Sequence, residues 1–458
     1  MPAVIELGYF NTFWLKRLNS SATPQVADIT YDWAIEESRI RGGYNNTSTD
    51  LGVKAYIVEE EAAQERRQNS LIYSGIYNSR TGINNTNEFS VAEEITRSID
   101  PIGGSIQKLY AEDTNLIVFQ ERKVNKALID KDAIYSAEGS ALTTSAKLVI
   151  GQVVPFGGEY GISKDPGSFA VYGYRKYFAD RERNLILRLS QDGITEISSY
   201  GMMDFFRDQL GNITTGKIVG GYDVYNQKYV ISLQQTNNSA TDYKTLSFDE
   251  RTLGWDSTYT YRPDFLTSLN GRFYSIHNSS TQAYTGLWDH YVEGITYNNF
   301  YNVTSPSTIK FVLNAEPQIV KNFNTLAYEG SNGWEITSVL SDETGENTIN
   351  DGVTWTNNID TASRIYSYNQ GTYEDNGVTY HAGFDRKQNQ YVAPIKNSST
   401  SNDGEVIWGD QVTGLKGYFA TVTMKTDESF TVGTNLYSAT NPGGLKELFS
   451  VSSTYSKR

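Results

Sequence analysis

The 458-residue chain carries a formal net charge of −14, has a pI near 4.9 and contains no cysteine. Sequence-independent nucleic-acid affinity needs Lys and Arg to neutralise phosphate, so this acidic chain is a poor DNA binder, although it suits a path along which DNA slides without sticking. The absence of cysteine excludes disulfides and thiolate metal sites, and it fits assembly in a cytoplasm.

Tyr (33) outnumbers Phe (19), Gly reaches 39, and Asn, Ser and Thr are plentiful, which favours strands and turns over helices. The length gives room for two or three domains. No segment reaches the roughly 18 apolar residues of a membrane span. The opening residues, Met1 to Leu7, lack a basic region followed by an apolar run and do not read as a signal peptide. Without a secretion signal, triplets such as Asn212-Ile213-Thr214 and Asn302-Val303-Thr304 read as chance in an Asn/Ser/Thr-rich chain.

In chain order, 1–50 holds an aromatic segment around Tyr9, Phe10, Phe13 and Trp14, too apolar for a free tail and a candidate for subunit contacts. The loop 47–51 is a second candidate contact. A strand edge is expected near 34–40, a strand over 53–58, a charged solvated run over 59–67, and a strand over 71–78. Strand–turn–strand phrases follow at 106–120, 172–189, 221–233 and 265–276. The stretch 172–208 is the clearest. It runs from an aromatic strand (174–178) through a charged turn (180–184) to a second strand (185–189), a tight Gln191-Asp192-Gly193 turn and a third strand (194–197). Turn positions Asn184, Lys228 and Arg272 stand 44 residues apart, within the 40–50-residue period of four-stranded propeller blades. The copy at Asn115 precedes Asn184 by 69 residues, so an insertion or a longer blade separates them. A hairpin over 246–256 completes the third copy as the outer pair of a blade. The expected fold is all-β, a β-propeller over 51–292 followed by a β-sandwich or platform domain over 293–458, one strand of which is a candidate to close the propeller. In that second part, strands are expected at 309–313, 324–328, 333–340, 414–425 and 448–455.

Few residues suggest catalysis. His277, His290 and His381 have no i, i+4 spacing, and a zinc site is not expected. Asp180, Asp223 and Asp249 are the carboxylates to weigh for glycosidic hydrolysis, but each sits in a repeat turn, where Asp ordinarily caps the hairpin. Gly pairs at 42–43, 103–104, 157–158 and 220–221 are isolated and read as turns or bulges, not as a phosphate loop. There is no Gly-x-Ser-x-Gly elbow. No cofactor is expected.

The phrases Gln107-Lys108-Leu109-Tyr110-Ala111-Glu112-Asp113-Thr114-Asn115-Leu116, Ala133-Ile134-Tyr135-Ser136-Ala137-Glu138-Gly139, Gly158-Glu159-Tyr160-Gly161-Ile162-Ser163, the 172–208 segment and 322–331 resemble virion structural proteins of tailed bacteriophages. Similar phrases occur in tail hub or nozzle proteins of short-tailed phages, crAss-like ones included, and in marine phage structural proteins. The resemblance spans about 30–340. It implies a propeller assembled as a ring around a DNA channel, in contact with other tail or neck proteins. It implies a location in the virion tail after assembly in the host cytoplasm, with no catalytic residues to carry over. A host-surface glycan-binding adhesin, a neck or baseplate protein, and a glycoside-cleaving propeller are the rival expectations.

Overall fold

The computed structural model describes strands Thr12–Arg17 and Asp32–Glu37, most of 67–341, and shorter stretches from 347 to 457. The segments 38–66 and 396–413, with the strand expected at 53–58 and the loop 47–51, lie outside the described residues. The chain divides into two compact units, Met1–Ile276 and His277–Arg458. Its sheets are antiparallel throughout the named strand pairs, and the protein is all-β apart from one α-helix and short 3-10 turns among the described residues.

In the first unit, three four-stranded sheets follow one another, each a simple up-and-down meander in sequence order. The first holds Ile106–Glu112, Asn115–Gln120, Val124–Tyr135 and Ala141–Pro155. The second holds Ala170–Tyr172, Arg175–Asp180, Leu185–Ser190 and Gly193–Glu196. The third holds Ile218–Asp223, Lys228–Gln234, Tyr243–Asp249 and Gly254–Tyr259. The hairpin Phe265–Leu269 and Arg272–His277 continues the series.

Short strands with few charges pack in this way because both sheet faces are covered. Ile218–Asp223 is buried at every position, and Lys228–Gln234 at all but its first. First and second sheets meet through Phe119, whose ring lies 5.2 Å from both Phe169 and Phe178. Second and third meet through Tyr177, stacked at 4.8 Å on Tyr229, and through the Trp255 indole, which donates to the Ile197 carbonyl at 3.0 Å. The α-helix Met203–Gly211 plugs the same core with Phe206 and Leu210, an i, i+4 pair on one helical face. Each fully buried aromatic of this kind contributes roughly 1.5–3 kcal/mol.

Two sequence expectations change here. The 44-residue spacing is not the repeat of the sheets: Asn184 precedes the third strand of its sheet, whereas Lys228 and Arg272 open second strands. Equivalent first strands begin at Ile106, Ala170, Ile218 and Phe265, which is 64, 48 and 47 residues apart. Both hairpin types use the same turn chemistry, so the phrase matched out of phase. The extra length in the first sheet is a long hairpin. Its arms stay paired beyond Leu128, the last partner of Asn115, out to Ala141 opposite Tyr135.

The second difference concerns Gly220 and Gly221. They lie in mid-strand, not in a turn. A Cβ on Gly220 would sit 2.0 Å from the Ser168 carbonyl oxygen, and one on Gly221 would sit 2.4 Å from Leu266 Cβ. One glycine admits the preceding sheet and the other the following hairpin, so the first strand of the third sheet is gripped from both sides.

In the second unit, two sheets share one core. One has Ala420–Thr426 between Thr308–Leu313 and Trp334–Ser341. The other centres on Lys321–Gly330, paired with Gln390–Pro394, Leu415–Gly417 and the C-terminal strand Leu448–Lys457. Phe323, Leu326, Tyr328 and Tyr391 from the second sheet pack with Trp334, Ile336, Val422 and Met424 from the first. The single strand expected at 414–425 is broken at Tyr418–Phe419, and its two halves join different sheets. The burial alternation slips by one residue at the break, where Tyr418 and Phe419 are both exposed.

Candidate functional site

Asp180, Asp223 and Asp249 occupy equivalent corners. Each ends a strand, and the fourth residue after it is left-handed: Asn184 (φ 58°), Gln227 (φ 58°) and Leu253 (φ 51°). Asp180 is fully buried and accepts from the Gly161 amide (3.1 Å), Ser163 Oγ (2.9 Å), the Arg183 amide (3.3 Å) and Arg183 Nη1 (3.2 Å). Asp223 accepts from the amides of Tyr225 (2.9 Å) and Asn226 (3.2 Å) and from Asn226 Nδ2 (3.0 Å). Asp249 accepts from the amide and guanidinium of Arg251, which holds its carboxyl below the usual carboxylate range. All three carboxylates are thus engaged in bracing their turns.

His277 stacks on Tyr301 at 4.3 Å. His290 lies near Tyr291 and Phe300, and burial pushes its imidazole down to about 4. His381 ends the strand Val378–His381. Among the described residues no three His, Asp or Glu side chains converge as metal ligands. Of the aromatic segment proposed for subunit contacts, Tyr9 and Phe10 lie outside the described residues. Phe13 and Trp14 lie on Thr12–Arg17, opposite Glu36 and Ile35 of Asp32–Glu37.

A cleft of about 510 Å³ opens at one end of the second sheet. Two turns form it, Gly173–Tyr174 between the first and second strands and Gln191–Asp192 between the third and fourth. Gly173 (φ 55°) supplies the left-handed residue that closes the first turn. Tyr172 lies in the wall with one face against Tyr222, the rings 4.2 Å apart and 7° from parallel. Behind it, Tyr222, Tyr177 and Tyr229 continue the pile. Burial pushes the Tyr177 and Tyr222 phenols well above their usual range, so they stay neutral. Arg188 reaches the cleft from the third strand, donating through Nη1 to Glu250 at 2.7 Å, and Glu250 also accepts from the Tyr177 hydroxyl at 2.9 Å. Two buried polar atoms of the cleft residues, Arg188 Nε and Ser190 Oγ, have no hydrogen-bond partner. The sequence signal for this place was Arg188, a lone cation in the otherwise apolar run Leu185 to Leu189.

These features describe an all-β protein of stacked antiparallel sheets. Residues 295–398, within the second unit, match the Crassvirus muzzle protein C-terminal domain. The match supports a structural protein of a crAss-like phage virion. No curated protein matches the chain. Among solved structures, an exo-β-1,3-galactanase from Phanerochaete chrysosporium bound to β-1,3-galactotriose has 9% identity over 77% of this chain and all of that one. Its TM-score is 0.17, too low to carry an argument about fold or activity. No helix among the described residues is long and apolar enough to cross a membrane.

Proposed function

We propose that this chain is a tail protein of a crAss-like phage, of the hub or nozzle kind, and that several copies form a ring around the DNA channel to retain and deliver the genome. The observation that carries the reading is the muzzle-domain match over 295–398. The first unit supports it as a set of propeller blades. Its meanders repeat in sequence order, and the first strand of the third sheet touches both neighbours through Tyr222 and Gly221. The second unit then forms the β-sandwich that accompanies the propeller. The hairpin 265–277 turns Leu266 and Phe273 inward and leaves Phe265, Leu269 and Ile276 exposed. In each preceding pair of sheets the equivalent face is covered by the next sheet, so a second copy is the occupant that fits it. The net charge of −14 suits a lumen that DNA crosses without binding. In this reading the chain needs no catalysis, and Asp180, Asp223 and Asp249 serve as turn braces. Native mass measurement and electron microscopy of the purified full chain test this. Closed rings that co-assemble with other tail or neck proteins are expected, and a strict monomer absent from purified virion tails overturns the reading.

A further inference from the structure

We propose that the cleft at the end of the second sheet binds a neutral saccharide. Its volume of about 510 Å³ falls within the roughly 300–1,000 Å³ of small-ligand sites. Tyr172 provides the platform. Tyr222 holds it flat from behind, so a sugar ring meets an aromatic face whose orientation is already fixed, and little side-chain entropy is lost on binding. Tyr172 keeps 41% of its surface exposed and Tyr174, at the rim, 60%. Such faces pack against the C–H side of a pyranose, as rigid amphipathic tyrosines do at other binding surfaces.

The polar groups fit hydroxyls. Arg188 Nε is a donor without an acceptor, and Ser190 Oγ is a hydroxyl with neither donor nor acceptor, although both are buried. Leaving such atoms unpaired costs about 1–3 kcal/mol each, so a ligand hydroxyl that draws these side chains toward the cleft recovers part of that cost. Gln191 and Asp192 add acceptors and donors at the rim. The charges around the cleft balance: Arg175 and Arg188 stand against Asp192 and Glu250. This balance is why the ligand is uncharged. A hydroxyl both accepts from guanidinium and donates to carboxylate, whereas an acidic or basic sugar would meet a like charge as readily as an opposite one. The site stands independently of the tail position and of the ring.

The test is calorimetry and ligand-observed NMR on the full chain with maltotriose, cellotriose, mannotriose and galactotriose, and with trigalacturonate as the acidic counterpart. At least one neutral trisaccharide is expected to bind with a Kd below about 1 mM. Tyr172→Ala is expected to weaken it at least about tenfold, a loss of roughly 1.4 kcal/mol. Tyr174→Ala, at an exposed rim position, gives a second reading that does not depend on the stacked pair. Tyr225→Ala, an exposed tyrosine outside the cleft, is expected to change nothing. Absence of binding by all four neutral probes, preference for trigalacturonate, or binding unchanged in both Tyr172→Ala and Tyr174→Ala overturns the proposal. Ring formation and virion location are measured on the same sample without sugar, so failure of the saccharide site and failure of the tail reading are told apart.

Discussion

Gly220→Ala is expected to destabilise the first unit by about 3 kcal/mol, at the upper end of overpacking costs. The magnitude follows from what the methyl group meets. Its carbon would lie 2.0 Å from the Ser168 oxygen, 2.6 Å from the Ser168 carbonyl carbon and 2.9 Å from the Tyr229 hydroxyl. Ordinary contact needs 3.4 Å or more, and the obstacle is backbone, so a whole loop must retreat. Ser168 is poorly placed to do so. Its carbonyl accepts from the Tyr229 hydroxyl at 2.8 Å, and its own hydroxyl accepts from the Ala179 amide at 3.0 Å. Displacing it strains both bonds, each worth about 1 kcal/mol net. Alanine recovers only about 0.5–1 kcal/mol of backbone entropy. Gly157→Ala is the control, because a Cβ there meets nothing within 4 Å, and it is expected to be neutral within about 0.5 kcal/mol. Thermal and urea unfolding followed by circular dichroism read both variants, and the Gly220→Ala midpoint should fall by about 6–12 °C. A Gly220→Ala protein as stable as Gly157→Ala would refute the idea that consecutive sheets meet at this strand.

Three further outcomes are expected. Glu250→Leu alone should cost about 2–3 kcal/mol, because it leaves the Arg188 guanidinium and the Tyr177 hydroxyl without their acceptor, and Glu250→Leu with Arg188→Leu should recover at least half of that in urea unfolding. Asp180→Ala should cost about 2–4 kcal/mol by orphaning the Gly161 amide, the Ser163 hydroxyl and the Arg183 amide, while Asp180→Asn, which keeps an acceptor, should lose less; equal stability of the two in thermal melts removes the bracing role. His290 is neutral in the folded protein, with its imidazole pushed down to about 4 by burial, whereas the unfolded chain protonates near 6.5. Its contribution to stability is therefore complete above pH 6.5 and is lost as pH falls from 6.5 to about 4, and a His290→Gln variant should flatten that part of the melting-temperature profile.

The meanders were legible because their turns are local. Asp-Gly at 192–193, and an Asp followed four residues later by a left-handed position, are written in a few adjacent residues, and strand alternation supplies the rest. The phase of the repeat was not legible. Inner and outer hairpins use the same corner, and only pairing across strands tells them apart. Gly220 and Gly221 misled for a related reason. A glycine that bends a turn and a glycine that admits a neighbouring backbone look identical until the neighbour is in place. The helix Met203–Gly211 lacks a capping side chain at Met202, so its start carries no local signal, and only Phe206 and Leu210 mark its buried face. The cleft depended on contacts of 50–62 residues' separation, Tyr172 with Tyr222 and Arg188 with Glu250, which no local pattern encodes.

The last prediction concerns assembly. In hairpin 265–277, Phe265 stands directly opposite Ile276 on one face, while Leu266 and Phe273 point the other way into the core. A lone exposed apolar residue needs no explanation, but a sheet face with Phe265, Leu269 and Ile276 all exposed is costly to leave in water. Covering Phe265 and Leu269, now 53% and 64% exposed, contributes on the order of 1–2 kcal/mol each at an interface. Phe265→Ser with Leu269→Ser should therefore weaken self-association by about 30-fold or more while leaving the fold intact, since neither side chain belongs to the core. Analytical ultracentrifugation over a concentration series measures this. The same argument predicts that a core change on the opposite face, Phe273→Ala, lowers the unfolding midpoint instead. A double variant that associates as tightly as the parent would place the subunit contact elsewhere, with the aromatic segment at Phe13 and Trp14 as the next surface to test.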